Sequence, residues 1–370
     1  MENTISGLIE SRRNVVTGRI EIRYSKKDSF KPMTDWDLRT ILRSLKRMGY
    51  KKASTSAIRD ILDSNFSPNF NPFEEYFMSL EDWDGETDHI AELASLLKIT
   101  NHEYLVPWFK KWFVGLVTGL LDAEQVNHQV LVLTGAQGIG KTTFFNVLVP
   151  KELRGYYFNG FVNPSNKDAV IQSSECFLIT MDELASLKPT SIESLKQLIT
   201  QKFIRVRRPY AVNPETLDRR ASFAGTTNEK TFLEDSTGSR RFLCFNVESV
   251  NLVALKTFDI GKAYAQAFSL YLDGYRYWFN KEETRLIEEN NEEFVVRSQE
   301  EELIREYFVP TTPDLLSLKW TATMVTNHLA SKGLIYNSAK SVQNIGKALS
   351  RLGFQKRKSN GQQIYDLKRI

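Results

Sequence analysis

Gln129-Val130-Leu131-Val132-Leu133 reads as an apolar strand, and after Thr134 the chain runs Gly135-Ala136-Gln137-Gly138-Ile139-Gly140-Lys141-Thr142-Thr143. Phe144, Phe145, Val147 and Leu148 then recur at helical spacing. Strand, glycine loop and helix in that order are the setting in which the pattern GxxxxGK[ST] acquires physical meaning. Glycines let the backbone curl and turn its N–H groups inward, and the helix start adds the positive end of a dipole, so the loop cradles phosphate. On this reading Gly135, Ala136, Gln137, Gly138, Ile139, Gly140, Lys141, Thr142 and Thr143 wrap a nucleoside triphosphate. The Lys141 ammonium reaches its outer phosphates and the Thr142 hydroxyl holds Mg²⁺. ATP and Mg²⁺ are the expected cofactors.

Two later strands supply the rest of such a site. Cys176 to Met181 is a buried-strand run ending in Asp182-Glu183. An acid at the C-terminal end of a strand faces the phosphate loop in sheets of this kind. Asp182 is expected in the Mg²⁺ shell and Glu183 as the group that polarises the attacking water. The bland alternative is a strand ending at a polar turn, with Glu183 capping the next helix. Ala221 to Gly225 delivers Thr226-Thr227-Asn228, where the Asn228 amide is placed to orient the water. Arg240 and Arg241 follow, and one of them is a candidate finger acting on a neighbouring subunit's nucleotide. The competing reading is a structural arginine paired with an acid.

From Val126 to about Val247 short apolar strands alternate with helices, which marks an α/β unit. The organisation outward from it is expected as follows: residues 1–63 a small basic N-terminal domain, 73–125 helical, 126–250 the phosphate-loop core, 251–307 a helical lid or linker, and 308–370 a DNA-binding domain. At the N-terminus a hairpin turns at Thr17-Gly18, and Thr34-Asp35 opens a helix bearing Leu38, Ile41, Leu42, Leu45 and Met48. The segment is rich in Arg and Lys, read either as a solvated face or as a nucleic-acid contact. Ser64 to Pro72 reads as a linker. Tyr264, Phe268, Tyr271, Tyr275 and Trp278 are predicted to share one face of a core helix. At the C-terminus, helices Thr321–Ala330 and Ser338–Leu352 and a hairpin turning at Ser359-Asn360-Gly361 suggest a winged helix.

Composition sets the outer bounds. The 370 residues suffice for two or three domains, and a net charge of +4 by itself says little about partners. Two cysteines, Cys176 and Cys244, make no disulfide framework, and the four scattered histidines make no zinc motif; both fit a reducing cytosol. Met1 to Arg13 is too polar for a signal peptide, and the apolar stretch Trp112–Leu121 is too short to cross a bilayer. The expected location is cytoplasmic, with no membrane partner.

Five motifs, in order, carry a family likeness: Gly135–Thr143, Leu178–Glu183, Ile199–Tyr210, Arg219–Asn228 and Thr237–Phe242. Together with Trp83-Asp84-Gly85 upstream, they resemble the virulence-associated protein E (VapE/VirE) family, which is similar to superfamily 3 helicases and primase-helicases. The likeness covers roughly residues 73–247 and looks closest to versions carried by prophages and mobile islands. It implies an AAA+-type core, a ring that is usually hexameric, and ATP-driven movement along DNA during replication of the element. Residue by residue it carries the nucleotide loop onto Gly135–Thr143, the metal and water acids onto Asp182 and Glu183, the sensor onto Asn228 and the trans arginine onto Arg240 or Arg241. Long members place a primase before the ATPase; residues 1–64 are too short for one, so a separate primase or initiator is the expected partner if priming is needed.

The DNA-facing elements follow from charge. Lys202 to Tyr210 alternates apolar and basic residues, which predicts a hairpin with one cationic face, continued by Arg219 and Arg220. In the related helicases a hairpin before the sensor strand lines the pore, so Arg205, Arg207, Arg208 and Tyr210 are expected near single-stranded DNA. The rival reading places some of these arginines at a nucleotide across the subunit interface. Lys340, Lys347, Arg351, Lys356, Arg357 and Lys358 are the expected duplex or origin contacts of the C-terminal domain, against a purely structural cap. Two functions remain open on the sequence: a DNA-dependent ATPase with helicase activity, and a nucleotide-switched DNA-binding regulator or interference factor that does not unwind.

Overall fold

Six strands build the sheet that positions the site: β1 (Leu97–Ile99), β2 (Val130–Thr134), β3 (Tyr157–Asn159), β4 (Leu178–Met181), β5 (Ser222–Thr227) and β6 (Phe242–Val250). Their spatial order is β1-β6-β2-β5-β4-β3 in a computed structural model that describes residues 1–100, 102–160, 166–186, 189–208, 213–233, 239–311, 319–359 and 361–370. All pairs are parallel except β1 with β6. Every residue of β2, β4 and β5 is buried, as parallel strands covered by helices require. The fold is mixed α/β, with several sheets and many helices.

Parallel pairing demands crossover helices, and the apolar ones supply the core. The helix His102–Leu121 buries Trp112, whose indole N–H donates to Phe223 O of β5 at 3.2 Å. Phe109 of the same helix meets Phe113 and Phe144 ring to ring. Tyr264, in the helix Ile260–Leu272, is fully buried, contacts Phe113 and donates to Leu148 O at 2.8 Å. That helix stops sooner than the aromatic spacing predicts, because Asp273 caps it and Gly274 takes φ 72°. Tyr275 and Trp278 therefore lie beyond it, and the residue buried there is Tyr277, with Trp278 52% exposed.

The chain divides into two compact units, residues 1–230 with 240–285, and 231–239 with 286–370. Within the first, residues 1–70 form a four-stranded sheet in the order Lys31–Pro32, Ile20–Arg23, Glu10–Asn14, Asn69–Phe70, with the helices Asp35–Arg47 and Thr55–Leu62 against it. The stretch 64–72, read as a linker, buries Ser67 and pairs Asn69 and Phe70 with the first strand of this sheet. Thr34 and Asp37 close a capping box at the head of the longer helix.

The second unit centres on Gln362–Arg369, which pairs with Phe308–Pro310, Lys319–Trp320 and Lys356–Ser359. The helices Ala322–Ser331 and Ala339–Arg351 start at Thr321 and Ser338, whose side chains cap them. Val325, Leu329, Ile345 and Leu349 pack with Trp320 and Tyr365 as its core. Among the described residues no helix is long and apolar enough to cross a membrane.

Candidate active site

Register brings the three sequence motifs to one edge. Thr134 pairs with Thr227, and Gly225 pairs with Met181, so β2, β5 and β4 all end at the same side of the sheet. The residues that follow are Gly135, Asp182 and Asn228. They open onto a cavity of about 320 Å³ lined by Gln137, Gly138, Gly140, Lys141, Thr142, Thr143, Asp182, Glu183, Thr226 and Asn228. The chain leaves β2 for β3 on one side and returns to β6 on the other, which leaves a crevice at the C-terminal end of β2.

Two glycines of the loop are dictated by space. A Cβ on Gly135 would stand 2.3 Å from Val247 O, and one on Gly140 2.7 Å from Leu252 Cδ2, with both residues at positive φ. The loop folds back over Lys141, which is only 6% exposed. Its Nζ donates to Gly135 O at 2.7 Å, Ala136 O at 2.8 Å and Asn228 Oδ1 at 3.0 Å. Burial lowers the pKa of this ammonium, and the Asp182 carboxylate pulls the other way. The Thr142 hydroxyl donates to Asp182 Oδ1 at 3.1 Å, and Thr226 donates to the same oxygen at 2.9 Å.

Glu183 is the only non-glycine with positive φ among the described residues, at 56°. A glutamate held in the left-handed region costs energy, and such strain clusters where a side chain must be aimed. The cavity thus combines one ammonium, two hydroxyls that donate to one carboxylate, a second carboxylate on a strained backbone, and the Asn228 amide. That donor set suits a polyanion carrying a hard cation. A wider cavity of about 500 Å³ lies elsewhere in the same unit, but its wall carries Glu81, Asp82, Asp84 and Asp259. Its acidity repels phosphate, so size does not decide between them.

A family model for the virulence-associated protein E-like domain matches residues 78–296, more than half of the chain. The chain belongs to that family. The matched span takes in the whole central sheet and every motif at its edge. Two solved structures share the fold: the apo C-terminal region of NrS-1, at 12% identity and a TM-score of 0.50, and its A-form apo structure, at 10% and 0.52. Each match covers 98% of this chain and 97% of the other. Comparison with curated proteins returned no match.

The remaining expected residues of this virulence-associated protein E-like chain fall elsewhere. Ile139 is half-buried beneath the loop, near Gly135. Arg240 and Arg241 precede β6, whose Phe242 pairs with Val130 at the start of β2. They sit at the opposite edge from the cavity, on the order of 15 Å away along the strands. Arg205 lies exposed on the hairpin Phe203–Val206/Glu215–Asp218, with Ile204 and Val206 buried beneath, and Arg207 is exposed just past it. Arg208 is engaged: it pairs with Glu175 and with Glu215 and donates to Val16 O and Thr17 O. Arg219 and Arg220 do not extend the cationic face, since Arg219 is buried and Arg220 pairs with Asp218. Tyr210 lies outside the described residues.

In the C-terminal unit Lys340, Lys347, Lys356 and Lys358 are exposed, whereas Arg351 pairs with Glu301 and Arg357 with Asp366. Thr226, the second donor to Asp182, has no role in the sequence reading; its one signal was its place beside Asn228. Among the described residues no group of three or more His, Cys, Asp or Glu side chains is gathered to hold a metal. A cation bound largely by phosphate and water needs no such cluster.

Proposed function

We propose that this chain is a DNA-dependent ATPase with an AAA+-type P-loop core, working as a ring-forming helicase in the replication of a prophage or other mobile element. The observation that carries the reading is the convergence of Lys141, Thr142, Asp182, Glu183 and Asn228 at one sheet edge, around a loop whose three glycines all take positive φ. The order β6-β2-β5-β4-β3, with the loop strand between the strand bearing Asn228 and the last strand, supports an AAA+ core.

In this reading the loop amides and Lys141 hold the β- and γ-phosphates of ATP. Thr142 and Asp182, already hydrogen-bonded to each other, would hold Mg²⁺, which neutralises phosphate charge when bound. Glu183 accepts a proton from the attacking water, and Asn228, now bonded to Lys141, orients that water. Arg240 and Arg241 lie too far from their own cavity to serve it, so one of them serves the cavity of the next subunit. That requirement makes an oligomer, a hexamer by family resemblance, part of the mechanism.

DNA contact is assigned to Arg205 and Arg207, which are exposed, while Arg208 keeps a structural role. Lys340, Lys347, Lys356 and Lys358 give the second unit, proposed as a winged helix, a basic surface for duplex. A forked-duplex assay tests the reading: the wild type separates strands only with ATP and Mg²⁺, and Lys141→Ala separates none. Hydrolysis without strand separation would instead select the nucleotide-switched regulator.

A further inference from the structure

The basic residues of the N-terminal 70 are not equivalent. Arg12 pairs with Glu21 and Glu75 and lies over the Phe30 and Phe70 rings. Arg23 pairs with Glu10, and Lys31 with Asp37. These cations hold the small sheet together. Arg39, Arg43, Lys46 and Arg47 differ: all are exposed, and none has an acidic partner among the described residues. They share the helix Asp35–Arg47 and, with Leu42, line a shallow depression of about 460 Å³.

Spacing gives the group a direction. Arg39, Arg43 and Arg47 follow one another at four-residue steps, each about 6 Å along the helix axis, so they form one row. Trp36 stands three residues before the row, on the same side, and is 68% exposed. The nearby acids are taken: Asp35 pairs with Arg59, and Asp37 is buried as part of the cap. The opposite face of the helix, Leu38, Ile41 and Leu45, is sealed in the core. A large apolar ring is thus left in water at the head of four cations that lack an acidic partner among the described residues.

We propose that this helix face is a binding site for single-stranded DNA, separate from the hairpin and the C-terminal unit, with the arginine row on consecutive phosphates and Trp36 stacked on an unpaired base. Charge complementarity selects a polyanion, and the indole selects the single strand: a duplex keeps its bases stacked on each other, whereas an unpaired base offers its face. The site rests on the proposed function only in taking DNA as the partner.

The test uses the full chain without nucleotide and a fluorescent oligothymidylate, read by anisotropy over a salt series. Arg39→Ala/Arg43→Ala/Arg47→Ala, which keeps good helix formers, is expected to weaken binding at least tenfold at low salt and to flatten the slope of log affinity against log salt by about 2. Trp36→Ala is expected to weaken it roughly tenfold with the slope unchanged, and Trp36→Phe to restore most of it. Basal phosphate release without DNA stays at the wild-type level in all three variants, and its loss in them would overturn the separation of this site from the motor; a wild type that releases no phosphate would count against the proposed function alone. Wild-type oligothymidylate affinity and salt slope in the triple variant would overturn the proposal. So would a loss confined to duplex DNA or to anionic lipid vesicles, with Trp36→Ala indistinguishable from wild type.

Discussion

Both ends of the central sheet are polar, yet they are built on opposite principles. At the C-terminal edge Lys141, Thr142, Asp182, Glu183, Thr226 and Asn228 surround open space, and the Lys141 ammonium gives its N–H groups to Gly135 O, Ala136 O and Asn228 Oδ1 within that lining. At the N-terminal edge the polar groups close on one another. Arg219 is 1% exposed and gives its N–H groups to Gln201 O, Ile199 O, Asn127 O and Ala221 O. Asn127 in turn donates to Trp112 O and Ser222 Oγ. Burial lowers the pKa of the Arg219 guanidinium to about 9; among the described residues no carboxylate pairs with it, and four carbonyls do the work of a counter-ion. Both buried cations are bonded to backbone carbonyls, and what sets them apart is that Lys141 lines a cavity while Arg219 is sealed.

The comparison breaks cleanly if each edge is altered alone. Glu183→Gln keeps the left-handed backbone and the shape of the cavity, so phosphate release should fall by about 10² to 10⁴ while ATP affinity and melting temperature stay unchanged. A variant that turns over normally would return Glu183 to a mere helix cap.

Arg219→Met should do the reverse. Several buried carbonyls lose their donor, at a cost of about 3 kcal/mol or more in denaturant unfolding, with turnover per folded molecule unaltered. Wild-type stability would show that water replaces the guanidinium and that the edge is not closed.

How much of this was readable beforehand depends on where the partners lie in the chain. The loop Gly135–Thr143 is contiguous, so its place between a strand and a helix is legible from residue type at fixed spacing. Asp182 and Asn228 were legible because a run of apolar residues ends just before each. Arg219 was not, and it was placed on a cationic hairpin face with Arg220; its partners are backbone carbonyls, which any residue carries. Arg208 was misjudged for a related reason: Glu175 and Glu215 lie on separate elements, and only folding shows that they face it. The aromatic stripe failed at Gly274, where a stop signal outweighed the continuing periodicity.

A smaller effect sharpens the N-terminal edge further. His128 lies beside it, and burial, then Arg219, Lys202 and Arg241, lower its pKa below the usual 6.5. The unfolded chain thus takes up a proton more readily than the folded one, so the stability present above pH 6.5 is lost as the pH falls below it. Between about pH 7.5 and 5 the wild type should lose more melting temperature than His128→Gln. Equal losses would mean that the imidazole is solvated and the edge more open than Arg219 suggests.

Calorimetric titration of Mg·ATP into the nucleotide-free chain and into Lys141→Ala tests the central claim, that the C-terminal edge grips a triphosphate. One saturable site per chain in the wild type, weakened at least tenfold by the substitution, is the expected result. Wild-type protein that takes up no ATP, or a variant that binds it equally well, would contradict the account.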